Sequence, residues 1–104
     1  MEATALTGGF SGLPVVLSLN APYPNPAKGK ATISYAIPGQ YEGQPLSLRV
    51  YDVSGRRRLS LVEGRAKAGI FTVPFTGESL SGGFYFVVLR VGQEQRIQKL
   101  AWVR

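Results

Sequence analysis

Short runs of alternating apolar and polar residues make up most of this chain. In the clearest run, Ile33, Tyr35 and Ile37 alternate with Thr32 and Ser34. Successive side chains of a β-strand point to opposite faces, so a period of two predicts a strand with one buried face. Glycine and proline separate the runs at short intervals, and no helical period persists between them. The pattern therefore predicts an all-β protein.

The alternation predicts about seven strands. They are expected at residues 15–19, 31–37, 46–53, 57–62, 70–75, 84–91 and 96–103. The side chains expected to point into the core include Val15, Leu17, Leu19, Ile33, Tyr35, Ile37, Leu46, Leu48, Val50, Leu59, Leu61, Phe71, Val73, Phe75, Leu100 and Trp102. Short strands separated by turns are typical of an antiparallel, immunoglobulin-like β-sandwich. Residues 1–13, which are rich in small residues and glycine, are expected to form a flexible lead-in to one domain of residues 14–104.

Two of the predicted strands have features that indicate their place in a sheet. Pro74 has no N–H to donate, so the strand at residues 70–75 is expected to lie at a sheet edge or to contain a bulge. Residues 84–91 are apolar on both faces, which predicts a central strand. One face of that strand belongs to the core, and the other is either covered or exposed for a partner.

Two short segments are predicted to be structural motifs. Pro24, Asn25 and Pro26 form a stiff, non-helical segment that leads into a strand, and the Asn25 side chain is expected to satisfy local backbone groups. Residues 52–55 are predicted to form a tight turn. There the Asp52 carboxylate accepts backbone N–H groups and Gly55 adopts a positive φ.

The composition indicates a protein that is not an enzyme. The chain has 104 residues, the size of one domain, and it contains no cysteine and no histidine. Thiol nucleophiles, disulfides, zinc–thiolate sites and the usual general base are therefore excluded. Only six residues are acidic, which argues against a carboxylate-caged metal or a glycosidase-type carboxylate pair. We predict no catalytic residue, no metal ligand and no cofactor.

The positive charge leaves two interpretations open. Twelve Lys and Arg residues give a net charge of +6, which favours anionic partners such as nucleic acid, lipid or glycan, or simply keeps a small domain soluble. Arg56, Arg57 and Arg58 either contact phosphate groups or form a solvated exit from a turn.

Residues 84–86 either form a stacking platform or belong to the core, and the core is favoured. No nucleic-acid-binding motif is present, so nucleic acid is not an expected partner.

Four sequence blocks, in order, carry a resemblance to a known family. They are Tyr-Pro-Asn-Pro at residues 23–26, Val-Tyr-Asp-Val-Ser-Gly-Arg at 50–56, Gly-Phe-Tyr at 83–85, and a glycine turn at 92 followed by a basic, apolar final strand. Over residues 17–104 the chain resembles the C-terminal sorting domain of proteins exported by the bacterial type IX secretion system. It also resembles the related immunoglobulin-like domain of the flagellar hook-scaffolding protein. Ala27 stands where the family often has an aromatic residue, and Arg104 where it often has lysine.

The resemblance implies a non-catalytic address that directs a larger cargo, part of the same polypeptide, to the cell surface or outside. Its expected partners are the outer-membrane secretion machinery and, in addition, anionic lipopolysaccharide. The final strand is the expected recognition element, and an edge position would leave its backbone free for strand addition. The residues expected to take part in recognition are Lys99, Leu100, Arg104, Gly83 and Tyr85.

A second function stays open from the sequence. A glycan-binding accessory module of a secreted enzyme would need a line of exposed aromatic side chains on one sheet. The candidates for such a line are Tyr41, Tyr51 and either Phe84 or Phe86.

Overall fold

The computed structural model describes residues 14–104 and consists of eight strands joined by turns. The strands are β1 (Ser18–Leu19), β2 (Tyr23–Lys28), β3 (Lys30–Ile37), β4 (Pro45–Asp52), β5 (Arg57–Arg65), β6 (Gly69–Thr76), β7 (Gly83–Val91) and β8 (Glu94–Val103). A 3₁₀ turn, Gly39–Tyr41, precedes β4. The expected lead-in at residues 1–13 lies outside the described residues. Within residues 14–104, no helix has the length and apolar character to cross a membrane.

The strands form two sheets that pack as a sandwich. One sheet contains β1, β3 and β6, with β3 in the middle. The other runs in the order β8, β7, β4, β5, and all of its pairings are antiparallel. Strand β2 links the sheets, because Tyr23 pairs with β3 while Ala27 and Lys28 pair with β8 in parallel. The prediction of an all-β sandwich is confirmed, with one strand more than expected.

The extra strand comes from the proline-rich segment. The sequence predicted a stiff lead into a strand there, whereas Tyr23–Lys28 is itself β2. The prediction of extended backbone before each proline is consistent with this finding. Between Tyr23 and Lys28 the pairing with β3 is irregular, so Pro24 and Pro26 remove no regular ladder bond.

The core lies between the two sheets and is apolar throughout the described residues. It consists of Leu17, Leu19, Ala27, Ala31, Ile33, Tyr35, Ile37, Leu46, Leu48, Val50, Ala66, Phe75, Leu80, Tyr85, Val87, Leu89, Val91, Leu100 and Trp102. The rings of Phe75 and Trp102 stack across the two sheets with centroids 5.7 Å apart. The inward sets expected for β3, β4 and β8 are all buried.

Some residues expected in the core are exposed or half-buried. Val15 is 87% exposed, because β1 begins only at Ser18. Phe71 and Val73 are half-buried, since β6 pairs with β3 alone and its other side faces solvent. The edge position of β6 confirms the prediction made from Pro74.

A bulge explains the half-burial of the apolar residues in β5. Val62 lies opposite Leu48, and Ser60 lies opposite the next residue of β4, so Leu61 is an extra residue in this strand. The expected inward residues Leu59 and Leu61 are each partly buried against the core, together with Val62. A strict period of two could not anticipate this shift of register.

Candidate recognition surface

The β7–β8 hairpin brings most of the predicted recognition residues together. Its turn contains Gly92, which adopts a φ of 59°. In the hairpin register, Gly83 lies opposite Trp102 and Tyr85 lies opposite Leu100. Residues far apart in sequence therefore pair toward the open end of the hairpin. Lys99 lies opposite Phe86, further along the strand, and its Nζ reaches toward that end over the Phe84 ring, while Arg104 follows the last residue of β8.

These residues divide into buried and exposed groups. Leu100 is fully buried and Tyr85 is 4% exposed. The Tyr85 hydroxyl donates a hydrogen bond to the Ser81 carbonyl at 2.7 Å. Both side chains therefore fix the hairpin to the core and offer no contact surface, whereas Gly83, Lys99 and Arg104 are exposed. A role for any of them in sorting stays a prediction.

Asn25 joins the proline-rich strand β2 to the final strand β8. Its Nδ2 donates to the Lys99 carbonyl at 3.0 Å, and its Oδ1 accepts from the Ala101 N–H, also at 3.0 Å. The carboxamide has an N–H donor and a C=O acceptor, as a backbone peptide group has. The Asn25 side chain therefore takes the place of a neighbouring strand's backbone in hydrogen bonding to β8. The expectation that Asn25 satisfies local groups is therefore wrong, because its partners lie 74 and 76 residues away.

The free side of β8 is also covered further along the strand. Gln98 Nε2 donates to the Leu19 carbonyl at 2.8 Å, and Arg96 Nε donates to the Leu17 carbonyl at 3.2 Å. With the parallel pairing of Ala27 and Trp102, the segment before β3 follows β8 from residue 96 to its end. From Lys99 to its end, strand β8 is therefore not a free edge, because Asn25 and β2 occupy its backbone there, and strand addition at this part of the strand is not available.

Asp52 and Gly55 form the tight turn that the sequence predicted. The Asp52 carboxylate accepts from the backbone N–H of Ser54 at 2.9 Å and of Arg56 at 3.0 Å, and Gly55 adopts a φ of 87°. Hydrogen bonding, first from the Ser54 side chain and then from the Arg56 backbone, lowers the pKa of Asp52 to about 2. Arg58 lies 3.6 Å from the same carboxylate. The carboxylate is thus committed to the turn.

The second face of β7 is exposed, which settles the alternative left open by the sequence. Phe84 is 54% exposed and Phe86 is 36% exposed, while Tyr85 and Val87 between them point inward. The Nζ of Lys99 lies over the Phe84 ring, 4.3 Å from its centroid, in cation–π geometry. The preference for a core role is therefore wrong for these two phenylalanines. The signal for this surface was the apolar character of both faces of β7.

The aromatic residues proposed for a glycan site do not form one line. Tyr51 lies opposite Phe86 on the neighbouring strand. Tyr41 instead lies in the 3₁₀ turn before β4 and packs against the core. Among residues 14–104, no group of three or more acidic side chains is placed to hold a metal ion either.

Comparison with known proteins identifies the family. A family model described as "Secretion system C-terminal sorting domain" matches residues 21–103. Neither the curated proteins nor the solved structures gave a significant match. Nothing in the comparisons supports the glycan-binding alternative. The match starts just before β2 and ends at the last residue of β8, the two strands that Asn25 joins, and on this match the chain belongs to the family of type IX secretion C-terminal sorting domains.

Proposed function

We propose that the secretion machinery reads this sorting domain as a folded surface at the open end of the β7–β8 hairpin. As a member of its family, the domain is a sorting signal that sends a cargo in the same polypeptide to the cell surface or outside. The proposal adds which part of the domain the secretion machinery contacts. Its exposed cations are Lys99, whose Nζ reaches over the Phe84 ring, and Arg104, which follows the last residue of β8. Gly83, next to Phe84, has no side chain to block access.

The observation that carries this proposal is the pair of hydrogen bonds between the Asn25 side chain and the backbone of β8. They tie the first family block to the last, so the final strand has a defined place only in the folded domain. Leu100 and Tyr85 support the same surface from below through their burial. Recognition of a fixed surface in place of a flexible tail avoids an ordering cost on binding.

The proposal is tested by fusing the 104-residue chain to a periplasm-targeted reporter in a host with type IX secretion. We expect the intact fusion at the cell surface. Deletion of residues 98–104 should leave the reporter in the periplasm. Because that deletion also removes Leu100 and Trp102 from the core, the decisive variant is the folded double charge reversal Lys99→Glu/Arg104→Glu.

The control for charge is the double reversal Lys30→Glu/Lys67→Glu, at one exposed residue at the start of β3 and one in the turn before β6. Export of the double variant at the level of the control would contradict recognition through the hairpin end. Retention of the intact fusion in the periplasm would contradict the sorting role itself.

We propose further that anionic lipopolysaccharide is a second partner, contacted by the exposed Arg56 and Arg57. The third arginine of the run, Arg58, faces Asp52 instead. Arg56→Glu/Arg57→Glu should weaken binding of purified lipopolysaccharide and reduce its dependence on salt. A duplex DNA is the control for bulk charge, since we expect no nucleic-acid function. Equal effects of the substitutions on both ligands would contradict a specific contact.

We also propose that the domain has no catalytic activity of its own, in keeping with its non-catalytic family. The absence of histidine and cysteine supports this, because no near-neutral acid–base pair is present in the sequence. Hydrolase or transferase turnover by the purified chain that one point substitution removes without unfolding would contradict it.

A further inference from the structure

One side of the larger sheet presents an apolar surface to solvent. We define the outer face as the side of β4, β7 and β8 opposite the core. Four of its apolar side chains are substantially exposed: Phe84 54%, Phe86 36%, Ile97 52% and Val103 45%. They lie on the two neighbouring strands β7 and β8.

Cross-strand pairing makes this apolar surface continuous. Val88 lies opposite Ile97, and Phe86 lies between Tyr51 of β4 and Lys99 of β8. Directly opposite residues in a sheet have Cβ atoms about 4.5–5.5 Å apart, so these side chains are within reach of one another. A contiguous exposed apolar patch with a polar border is typical of an interaction site.

The charged residues of the outer face are mostly positive. Arg90 and Lys99 are exposed and share this side, since they lie opposite Ser47 and Phe86. The carboxylate of Glu63 on β5 is already engaged. It accepts hydrogen bonds from Arg49 Nε at 2.6 Å and Arg49 Nη2 at 3.0 Å. Among residues 14–104, neither Arg90 nor Lys99 forms an ion pair with a carboxylate, so the face combines an apolar centre with available positive charge.

We propose that the outer face docks onto an acidic, apolar surface of a protein in the outer-membrane secretion machinery. This inference rests on the proposed function and extends it from the hairpin end to a whole sheet face. Aromatic residues and arginine are enriched in protein interfaces, and opposite charges steer the encounter of two partners. A second copy of this chain is a poor occupant, because its own net charge of +6 is repelled by the same cations.

A lipid surface fits the geometry less well than a protein surface. Interfacial helices bury their apolar face roughly 5–10 Å into the headgroup boundary. Here the phenylalanines lie in the middle of a sheet, and the Lys99 side chain reaches over the Phe84 ring. At that position Lys99 would contact the lipid headgroups first and would keep the phenylalanine rings away from the acyl chains. A protein surface can match apolar and charged positions side by side.

The test uses the reporter fusion of the full chain and two face variants, Phe84→Thr/Ile97→Thr and Lys99→Glu/Arg90→Glu. The matched control is Ile70→Thr on β6 of the opposite sheet, because Ile70 is also 52% exposed. Thermal unfolding of each purified variant confirms folding. Purified chain is also mixed with vesicles of phosphatidylcholine and phosphatidylglycerol in equal parts.

We expect surface delivery to fall about tenfold or more in both face variants, as for the loss of a central interface contact. The Ile70→Thr control should be delivered like the wild type. Folded face variants that are delivered normally would overturn the docking face and leave the sorting role standing. Retention of the wild-type fusion would contradict the proposed function and this inference together. Vesicle binding that Phe84→Thr/Ile97→Thr abolishes would overturn the choice of a protein partner.

Discussion

The carboxamide oxygen of Asn25 lies 3.0 Å from the backbone nitrogen of Ala101 and accepts its hydrogen bond, across 76 residues of sequence. The same side chain also donates to the Lys99 carbonyl. Two blocks that look independent in sequence, the proline-rich segment and the final strand, are therefore one structural unit. This contact holds the end of β8 in a fixed position beside β2.

Replacing Asn25 by alanine should loosen β8 without unfolding the domain. Loss of two hydrogen bonds is expected to cost about 1–2 kcal/mol of unfolding free energy. Amide hydrogen exchange of Ala101 should become faster in the variant. Asn20→Ala is the matched control, because Asn20 donates to the Ser34 hydroxyl, away from β8. Unchanged exchange at Ala101 would show that the carboxamide does not hold the strand.

The alternation along β8 can be tested with two substitutions three residues apart. Leu100 is fully buried, so Leu100→Ala should destabilise the domain by about 2–5 kcal/mol. Ile97 is 52% exposed, and Ile97→Thr should change stability by less than about 0.5 kcal/mol. Chemical denaturation measures both values. Comparable losses at the two positions would contradict the assigned register.

The fold was largely predictable because alternation is a local signal. The inward residues of β3, β4 and β8 followed from a period of two. The predicted inward residues were wrong where tertiary structure overrides the period of two. Val15 precedes the first paired residue, and the bulge at Leu61 shifts the register of β5. Nothing in the local sequence reports either effect.

Gly77 packs directly against the Trp102 ring. A Cβ added at this position would lie 2.5 Å from Trp102 Cζ2 and 2.8 Å from Leu80 Cδ1. Both neighbours are buried and cannot move aside freely, so Gly77→Ala should cost about 1–3 kcal/mol. Gly39→Ala is the control, since an added Cβ there meets nothing within 4 Å. Thermal unfolding followed by Trp102 fluorescence measures the difference, and equal stabilities would contradict the packing.

Two carboxylates should make stability depend on acid pH. Hydrogen bonds from Arg49 and Ser60 lower the pKa of Glu63 from 4.5 to about 2, and hydrogen bonds from Ser54 and Arg56 lower that of Asp52 from 3.8 to about 2. A pKa lowered on folding adds stability above the unfolded value, and this is lost as pH falls through the folded value.

Stability should therefore decline between pH 4.5 and about 2. The double substitution Asp52→Asn/Glu63→Gln keeps the side-chain shapes and should flatten this decline. The Glu63 side chain is 46% exposed and the Asp52 side chain 19% exposed, both at the protein surface, so the effect should be modest and weaker in high salt. Denaturation midpoints across the pH range measure it. An identical slope in wild type and variant would contradict the role of these groups.

The recognition surface was predictable only in part. The sequence pointed to the final strand and to Gly83 and Tyr85, which do meet in the β7–β8 hairpin. The sequence placed Leu100 in the core, which the structure confirms, but it could not assign Tyr85 to the buried support, because that depends on which face of β7 the core covers. The link from Asn25 to β8 was missed, since a lone side chain gives no sign of a distant partner.

If the machinery recognises a folded domain, unfolding the domain while the final strand keeps its sequence should stop export. Ile33 is fully buried in the other sheet, so Ile33→Asp places an unpaired charge in the core and should unfold the chain. Thr32→Asp, one residue away and exposed, is the control with the same added charge. Reporter at the cell surface is measured relative to total reporter in the same cells. We predict that Thr32→Asp is delivered normally and that Ile33→Asp stays in the periplasm; normal delivery of an unfolded Ile33→Asp fusion would contradict the account.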